Sequence, residues 1–512
     1  MRTHRSPNGR QVSTGVSGLD DILRGGFTPN RLYLVEGDPG SGKTTLALQF
    51  LLEGASKGEP GLYVTLSETK DELTTIAASH GWDLEAIRIM EMVPSASSLS
   101  PDAELTMFHP SELELSETTK AVLAEVEKIK PRRVVFDSLS EMRLLAQNAL
   151  RYRRQILGLK QFFAGKQSTV LLLDDRTAPG EDLQLQSIAH GVVRLEQLAT
   201  GYGAERRRLR VFKMRGISFR GGFHDFAIRQ GGLDVFPRLV ASEHHDEFPL
   251  QDAPTGIAAL DGLLGGGLPH GSSTLLIGPA GVGKSTVALQ FAVAAVQRGE
   301  RAALFAFDET VATLKTRSMK LGIPLDPFIE KGLLTIQQVD PAELSPGEFV
   351  AIIRRAVDGA DGAEPAKVVI IDSLNGYLHS MPEESFLNAQ LHELFVYLNQ
   401  RGVLTLMTVT QSGMVGSSVK SPVDTTYLAD NVILFRYFEA RGHVRRAISV
   451  VKKRAGAHEM TIREMRIGAG GIIVGAPLED FQGVLTGTPT FHGAPEDLLI
   501  RMKDDRMKDD GR

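Results

Sequence analysis

Two strings, VEGDPGSGKTTLALQF at 35–50 and LIGPAGVGKSTVALQF at 276–291, constrain this chain more than any other feature. Each contains G-x-x-x-x-G-K-[ST], as Gly37–Thr44 and Gly278–Ser285, set between an apolar run and a helical pattern. That strand, loop, helix order is what a phosphate-cradling loop requires. Glycines let the backbone curl so that successive N–H groups and the next helix's N-terminus point at phosphate oxygens. The first loop supplies Gly37, Gly40, Ser41, Gly42, Lys43, Thr44 and Thr45, and the second Gly278, Gly281, Val282, Gly283, Lys284, Ser285 and Thr286. Lys43 and Lys284 are expected to reach the β- and γ-phosphates of ATP, and the hydroxyls of Thr44 and Ser285 to ligate Mg²⁺.

The repetition reaches well beyond the loops. Thr14 and Thr255, Lys43 and Lys284, and Glu68 and Glu309 all stand 241 positions apart, so no insertion interrupts this span. A constant register over about fifty residues marks a duplication. Further on, RRVVFDSLSEM at 132–142 matches KVVIIDSLNGY at 367–377, apolar runs that end in Asp137-Ser138 and Asp372-Ser373. Aspartates at a strand's C-terminal end suit Mg²⁺ held through its water shell. LLLDD at 171–175 and LMTVT at 406–410 read as the next buried strands, with helical patterns at 120–130 and 389–399. Strand and helix therefore alternate in both halves, which predicts α/β architecture: two tandem P-loop NTPase domains, each a mostly parallel doubly wound sheet. The expected limits are a first domain over 1–240, a linker over 241–255, a second domain over 256–475 and a C-terminal extension with a charged tail over 476–512.

Composition removes several alternatives. Without cysteine there are no disulfides or thiolate metal sites, and a reducing cytoplasm is the expected compartment. No apolar run approaches the ~18 residues of a membrane span. The basic N-terminus lacks the apolar segment of a secretory signal. A formal net charge of −5 argues against a general nucleic-acid footprint.

Residues beyond the loops bear on the chemistry. GLYVTLSETKDEL at 61–73 and AALFAFDETVATL at 302–314 place an acid after the next strand, where it can act as a base toward an attacking water or hydroxyl. Both halves have the acid as Glu68 or Glu309, but the preceding residue is Ser67 in one and Asp308 in the other. The alternative for these residues is helix N-capping. Asp308 is also a candidate metal contact. Near the end of each half, Lys213 and Arg215, or Lys452 and Arg454, share one strand face because they are two residues apart. Such cations suit the triphosphate of a neighbouring subunit. The intervening Met214 and Lys453, together with Arg446, complete the candidate ATP contacts.

These loops, acid pairs, Asp-Ser strand ends and Lys-x-Arg strands, with TG…LD ahead of each loop, resemble the KaiC family of RecA-like ATPases from about residue 12 to 490. The resemblance implies a double-tiered ring, normally of six subunits, with ATP between neighbours. It also implies a slow ATPase in the first domain, and ATPase plus serine/threonine autophosphorylation in the second. The positions matching the family's phosphorylation sites are Thr426 and Tyr427, where the first domain has Gln186 and Ser187. The family's adjacent Ser-Thr acceptors are thus Thr-Tyr here, and its paired glutamates are Ser67-Glu68 and Asp308-Glu309. The expected function is an ATP-hydrolysing, self-phosphorylating signalling protein, with a signalling partner for the C-terminal tail as a further expectation. The alternatives are a nucleotide-dependent assembly switch without kinase activity and a DNA motor.

Overall fold

The computed structural model describes residues 11–92, 110–146, 148–176, 183–199, 202–249, 251–379, 387–411, 429–440, 442–485 and 490–492. The chain divides into two compact units, Met1–Arg238 and Leu239–Arg512.

In the first unit the strands are β1 (Leu32–Gly37), β2 (Gly61–Thr65), β3 (Ile87–Glu91), β4 (Arg133–Asp137) and β5 (Thr169–Asp175). They continue with β6 (Gly191–Leu198), β7 (Arg206–Met214), β8 (Phe223–Arg229) and β9 (Gly232–Phe236). The helices are α1 (Ser17–Ile22), α2 (Lys43–Ser56), α3 (Lys70–Ser79), α4 (Pro110–Ile129), α5 (Leu139–Ala146), α6 (Ala149–Ala164) and α7 (Leu183–Ile188). One sheet holds all nine strands in the order β3-β2-β4-β5-β1-β6-β7-β8-β9. It is parallel from β3 to β6 and antiparallel from β6 to β9.

The second unit opens with β10 (Asp252–Ala253), β11 (Leu268–Pro269), β12 (Ser273–Gly278), β13 (Arg301–Ala306), β14 (Leu334–Gln338), β15 (Ala366–Asp372) and β16 (Leu404–Thr410). It continues with β17 (Asn431–Ala440), β18 (His443–Lys453), β19 (Arg463–Gly468), β20 (Gly471–Pro477), β21 (Phe481–Gln482) and β22 (Thr490–Phe491). Its helices are α8 (Ala258–Leu263), α9 (Lys284–Gln297), α10 (Val311–Lys320), α11 (Asp326–Glu330), α12 (Pro346–Asp358), α13 (Leu374–His379) and α14 (Leu387–Gln400). The large sheet, β14-β13-β15-β16-β12-β17-β18-β19-β20, repeats the first strand for strand.

Every residue of β1 and β12 is buried, which is why 32–35 and 275–277 read as apolar runs. Alternate residues feed opposite layers. Tyr33 and Val35 pack with Leu46 and Phe50 of α2, whereas Leu32 and Leu34 pack with Ile156 and Phe163 of α6. Likewise Leu276 meets Val287 and Phe291 of α9, while Leu275 and Ile277 meet Phe349 and Phe395 from the other layer. The central strand is thereby clamped from both sides, and the loop at its end is held by two cores.

Two local details refine the sequence expectations. The helix expected over 120–130 ends at Ile129, because Lys130 turns into the left-handed region at φ 51°. Part of the stretch expected as a linker is built into the second unit. Ala241 is buried and its N–H donates to Glu393 at 3.0 Å, and Ala253 pairs with Leu268. From the C-terminal extension, Phe481 and Phe491 lie 5.1 Å apart, and Phe481 meets Phe438 of β17 at 5.5 Å. The charged tail lies outside the described residues. Among the described residues no helix is long and apolar enough to cross a membrane.

Candidate functional site

Each loop leaves the carboxyl end of its unit's β1 or β12 and runs into the N-terminus of α2 or α9, the crevice where open α/β sheets bind ligands. The turn depends on glycine at its last position. Gly42 has φ +98° and Gly283 φ +111°, and an added Cβ would collide with Ile228 or Ile467 respectively. Gly37 is confined for a different reason: a Cβ there would lie 2.5 Å from Leu195 O and from Ser41 Oγ. Ser41 and Val282 are fully buried, and Thr45 and Thr286 nearly so.

The lysines curl back over their own loops. Lys43 Nζ donates to Gly37 O at 3.0 Å and Asp38 O at 2.9 Å, and Lys284 Nζ to Gly278 O at 2.9 Å and Pro279 O at 2.7 Å. Burial pulls the Lys284 ammonium down to about 8, against the opposing effect of Asp372 and Asp308. The loop hydroxyls meet the predicted aspartates, Thr44 donating to Asp137 at 3.2 Å and Ser285 to Asp372 at 3.0 Å. Burial raises both aspartates above the usual carboxylate range. A hydroxyl oxygen beside a desolvated carboxylate is a donor set that fits Mg²⁺ in each unit.

The two aspartates are supported differently. Tyr63 of β2 donates to Asp137 at 2.5 Å, and its counterpart in β13 is Leu304. Asp372 instead receives Thr408 of β16 at 2.5 Å, where β5 has Leu173. The same hydrogen bond comes from opposite neighbouring strands, a compensation that pattern reading could not detect because each residue looks like ordinary strand filling.

The acid pairs diverge further. Capping belongs to the next residue, since Thr69 accepts from the Glu72 N–H and Thr310 from the Thr313 N–H, both at 3.2 Å. In the first unit Glu68 is half-buried, and its Oε2 is enclosed without a hydrogen-bond partner. Burial, with Asp137, Glu72 and Asp175 nearby, pushes it up to about 7. In the second unit Arg317 of α10 clamps Glu309 with two bonds, 2.8 and 3.1 Å, and also reaches Thr286 at 3.1 Å. The residue matching Arg317 is Ile76, so among the described residues this clamp has no counterpart at Glu68. Asp308 remains at the cavity, receiving Ser373 Oγ at 2.5 Å. That cavity, of about 520 Å³, is lined by Lys284, Ser285, Asp308, Asp372 and Arg446 among others, and Arg446 Nε is buried without a hydrogen-bond partner.

The Lys-x-Arg pairs lie elsewhere. Met214 is in register with Gly191, which flanks Tyr33 near the start of β1, whereas the loop leaves from Gly37. Four residues of strand, about 13 Å, therefore separate these cations from their own unit's loop. Lys213 donates to the carbonyls of Gln186 (2.7 Å) and Ala189 (2.8 Å), and Arg215 to Ser187 O (2.9 Å). Lys452 donates to Ala429 O at 2.7 Å and Arg454 to Asp430 at 2.8 Å. Strand alternation turns Met214 and Lys453 the other way. Met214 enters the core and Lys453 donates to Leu264 O at 2.7 Å, so these two side chains do not share the face of their neighbours. Gln186 lies on α7 with its amide 3.2 Å from both Glu36 oxygens. Its counterpart Thr426, and Tyr427, lie outside the described residues.

A loop of this shape at the end of a central parallel strand, with a hydroxyl-paired aspartate one strand removed, defines the phosphate-loop nucleotide hydrolases, and this chain contains that arrangement twice. The chain belongs to the KaiC ATPase family: the family model described as "ATPase: KaiC" matches residues 12–240 and again 253–479. It is similar to the "Circadian clock oscillator protein KaiC" of Thermostichus vulcanus, 29% identical over 489 residues, covering 94% of this chain and 92% of that protein. The protein of the same name from Synechococcus elongatus is 28% identical over 485 residues, covering 94% and 92%.

Proposed function

We propose that this chain hydrolyses ATP at the first site and, at the second, transfers the γ-phosphate to a hydroxyl of its own kind of chain, acting as a signalling protein. The observation that carries this reading is the unequal equipment of the acid pairs: Glu68 is unclamped in the first unit, whereas in the second Glu309 is tied to Arg317 and Asp308 faces the cavity. In the first site Glu68 takes a proton from the attacking water. In the second, Asp308 takes the proton of a threonine hydroxyl as its oxygen bonds to the γ-phosphorus and the bond to the β-phosphate oxygen breaks, releasing ADP. Mg²⁺, held by Thr44 or Ser285 with Asp137 or Asp372 through its water, would neutralise charge on the phosphates. Lys43 and Lys284 hold the β- and γ-phosphates.

Thr426 is the proposed principal acceptor and Tyr427 a secondary one. Lys213, Arg215, Lys452 and Arg454, remote from their own loops, are assigned to a neighbour's triphosphate, which makes a homo-hexameric ring the working assembly. The proposed compartment is the cytoplasm, and the proposed domain limits are those read from the sequence, with part of the 241–255 stretch joining the second domain.

Two results are expected. First-site hydrolysis, measured with the second site disabled by Lys284→Ala, requires ionised Glu68. Because that carboxyl is raised to about 7, the rate should climb between pH 6 and 8 and then level. A profile flat across that window would remove Glu68 as the base. Mass spectrometry after incubation with Mg·ATP should find phosphate on Thr426 and lose most of it in Thr426→Ala. A variant modified as fully as the wild type would move the acceptor elsewhere, and an unmodified wild type would leave the assembly switch.

A further inference from the structure

The two phosphate-loop lysines are not equally free to meet a phosphate. Asp175, the last residue of β5, is in register with Gly37, the first residue of the loop. Its Oδ1 lies 2.7 Å from Lys43 Nζ, and its Oδ2 accepts from Ser140 Oγ at 3.1 Å. Ser140 is itself 2.5 Å from Ser138 Oγ, so the carboxylate is fixed in place by a short hydroxyl chain. In the second unit the residue in register with Gly278 is Thr410. There Asn375, the counterpart of Ser140, holds the Thr410 backbone at 3.0 and 2.7 Å, and the bonds of Lys284 are to loop carbonyls. The second cavity also differs in having Arg317, paired with Glu309, and Asp308, where the first unit has Ile76 and Ser67.

A lysine held by a carboxylate must release it to embrace a triphosphate, or keep it and bring that anion close to the γ-phosphate. Either course lowers affinity, the first by breaking a charge-assisted bond and the second by like-charge repulsion. The opposition is larger for ATP than for ADP, because only ATP carries the γ-phosphate and its added negative charge. We propose that Asp175 is a specificity-determining residue that lowers the first site's affinity for nucleoside triphosphate by competing for Lys43. This rests on the reading of both loops as nucleotide sites.

The test is equilibrium binding of a non-hydrolysable ATP analogue with Mg²⁺ to the full chain, at one fixed protein concentration. In a Lys284→Ala background, which leaves only the first site, Asp175→Asn should tighten binding about tenfold, with a smaller gain for ADP. In the reciprocal Lys43→Ala background, Thr410→Asp should weaken the second site by a similar factor. If the parent binds and Asp175→Asn leaves its affinity unchanged or lower, the role of Asp175 is overturned while the loops remain nucleotide sites. Should Asp175→Asn fail to fold, Thr410→Asp decides, and unchanged binding there overturns the proposal. Binding by none of these proteins, wild type included, would overturn the nucleotide reading and this proposal with it.

Discussion

Glu68→Gln is expected to lower first-site ATP hydrolysis about 10²- to 10⁴-fold while leaving nucleotide binding nearly unchanged. The substitution keeps the shape of the side chain and removes its basicity. Among the described residues its enclosed Oε2 has no hydrogen bond to lose, so the change breaks none there. Ser67 cannot replace it, because a hydroxyl is not a base near neutral pH. The measurement is phosphate release by the Lys284→Ala protein with and without Glu68→Gln. Retained hydrolysis with retained binding would place the base elsewhere. The same change at Glu309 should have a much smaller effect on hydrolysis, since Arg317 already occupies that carboxylate.

The second large effect concerns stability. Glu36 of β1 and Arg194 of β6 are neighbours in register, both buried, and their charged groups meet at 2.6 Å. Arg194 also stacks over Phe212 at 4.0 Å. In the second unit the same two positions are Ile277 and Leu434. One duplicated scaffold thus holds an ion pair in one copy and an apolar pair in the other. Glu36→Ala removes the carboxylate that a buried guanidinium meets and should destabilise the first unit by about 3–5 kcal/mol. The double change Glu36→Ile with Arg194→Leu, which copies the second unit, should recover most of that loss. Trp82 is the only tryptophan and packs on the first unit's core, so its fluorescence in the full chain reports this unit's unfolding. A single variant as stable as wild type, or a double variant worse than the single, would contradict this.

Much of the scaffold was legible because burial on both faces writes itself as unbroken apolar runs. The strands ending in Asp137 and Asp372, and the loops ending in Lys43 and Lys284, could be placed from pattern and spacing alone. The mutual position of Thr44 and Asp137, 93 residues apart, followed from the parallel order of the strands. Other features depend on contacts with no local signature. Arg317 looks like any basic residue in the last turn of α10 until the fold turns it onto Glu309. Asp175 reads as the polar end of a buried strand, and only its register with Gly37 brings it to Lys43. Tyr63 and Thr408 illustrate the limit most sharply, since each supports an aspartate from a different neighbouring strand. Lys453 was grouped with Lys452 and Arg454 by sequence, but strand alternation sends it to Leu264 instead.

The central claim is that one duplicated fold performs two reactions because its two bases differ. The most direct measurement follows label from γ-³²P-ATP into both free phosphate and the protein chain, in Glu68→Gln and in Asp308→Asn. The account predicts that Glu68→Gln loses most of the free phosphate yet still labels the chain, and that Asp308→Asn releases phosphate yet leaves the chain unlabelled. Equal labelling of the two variants, or no label in the wild-type chain, would contradict it.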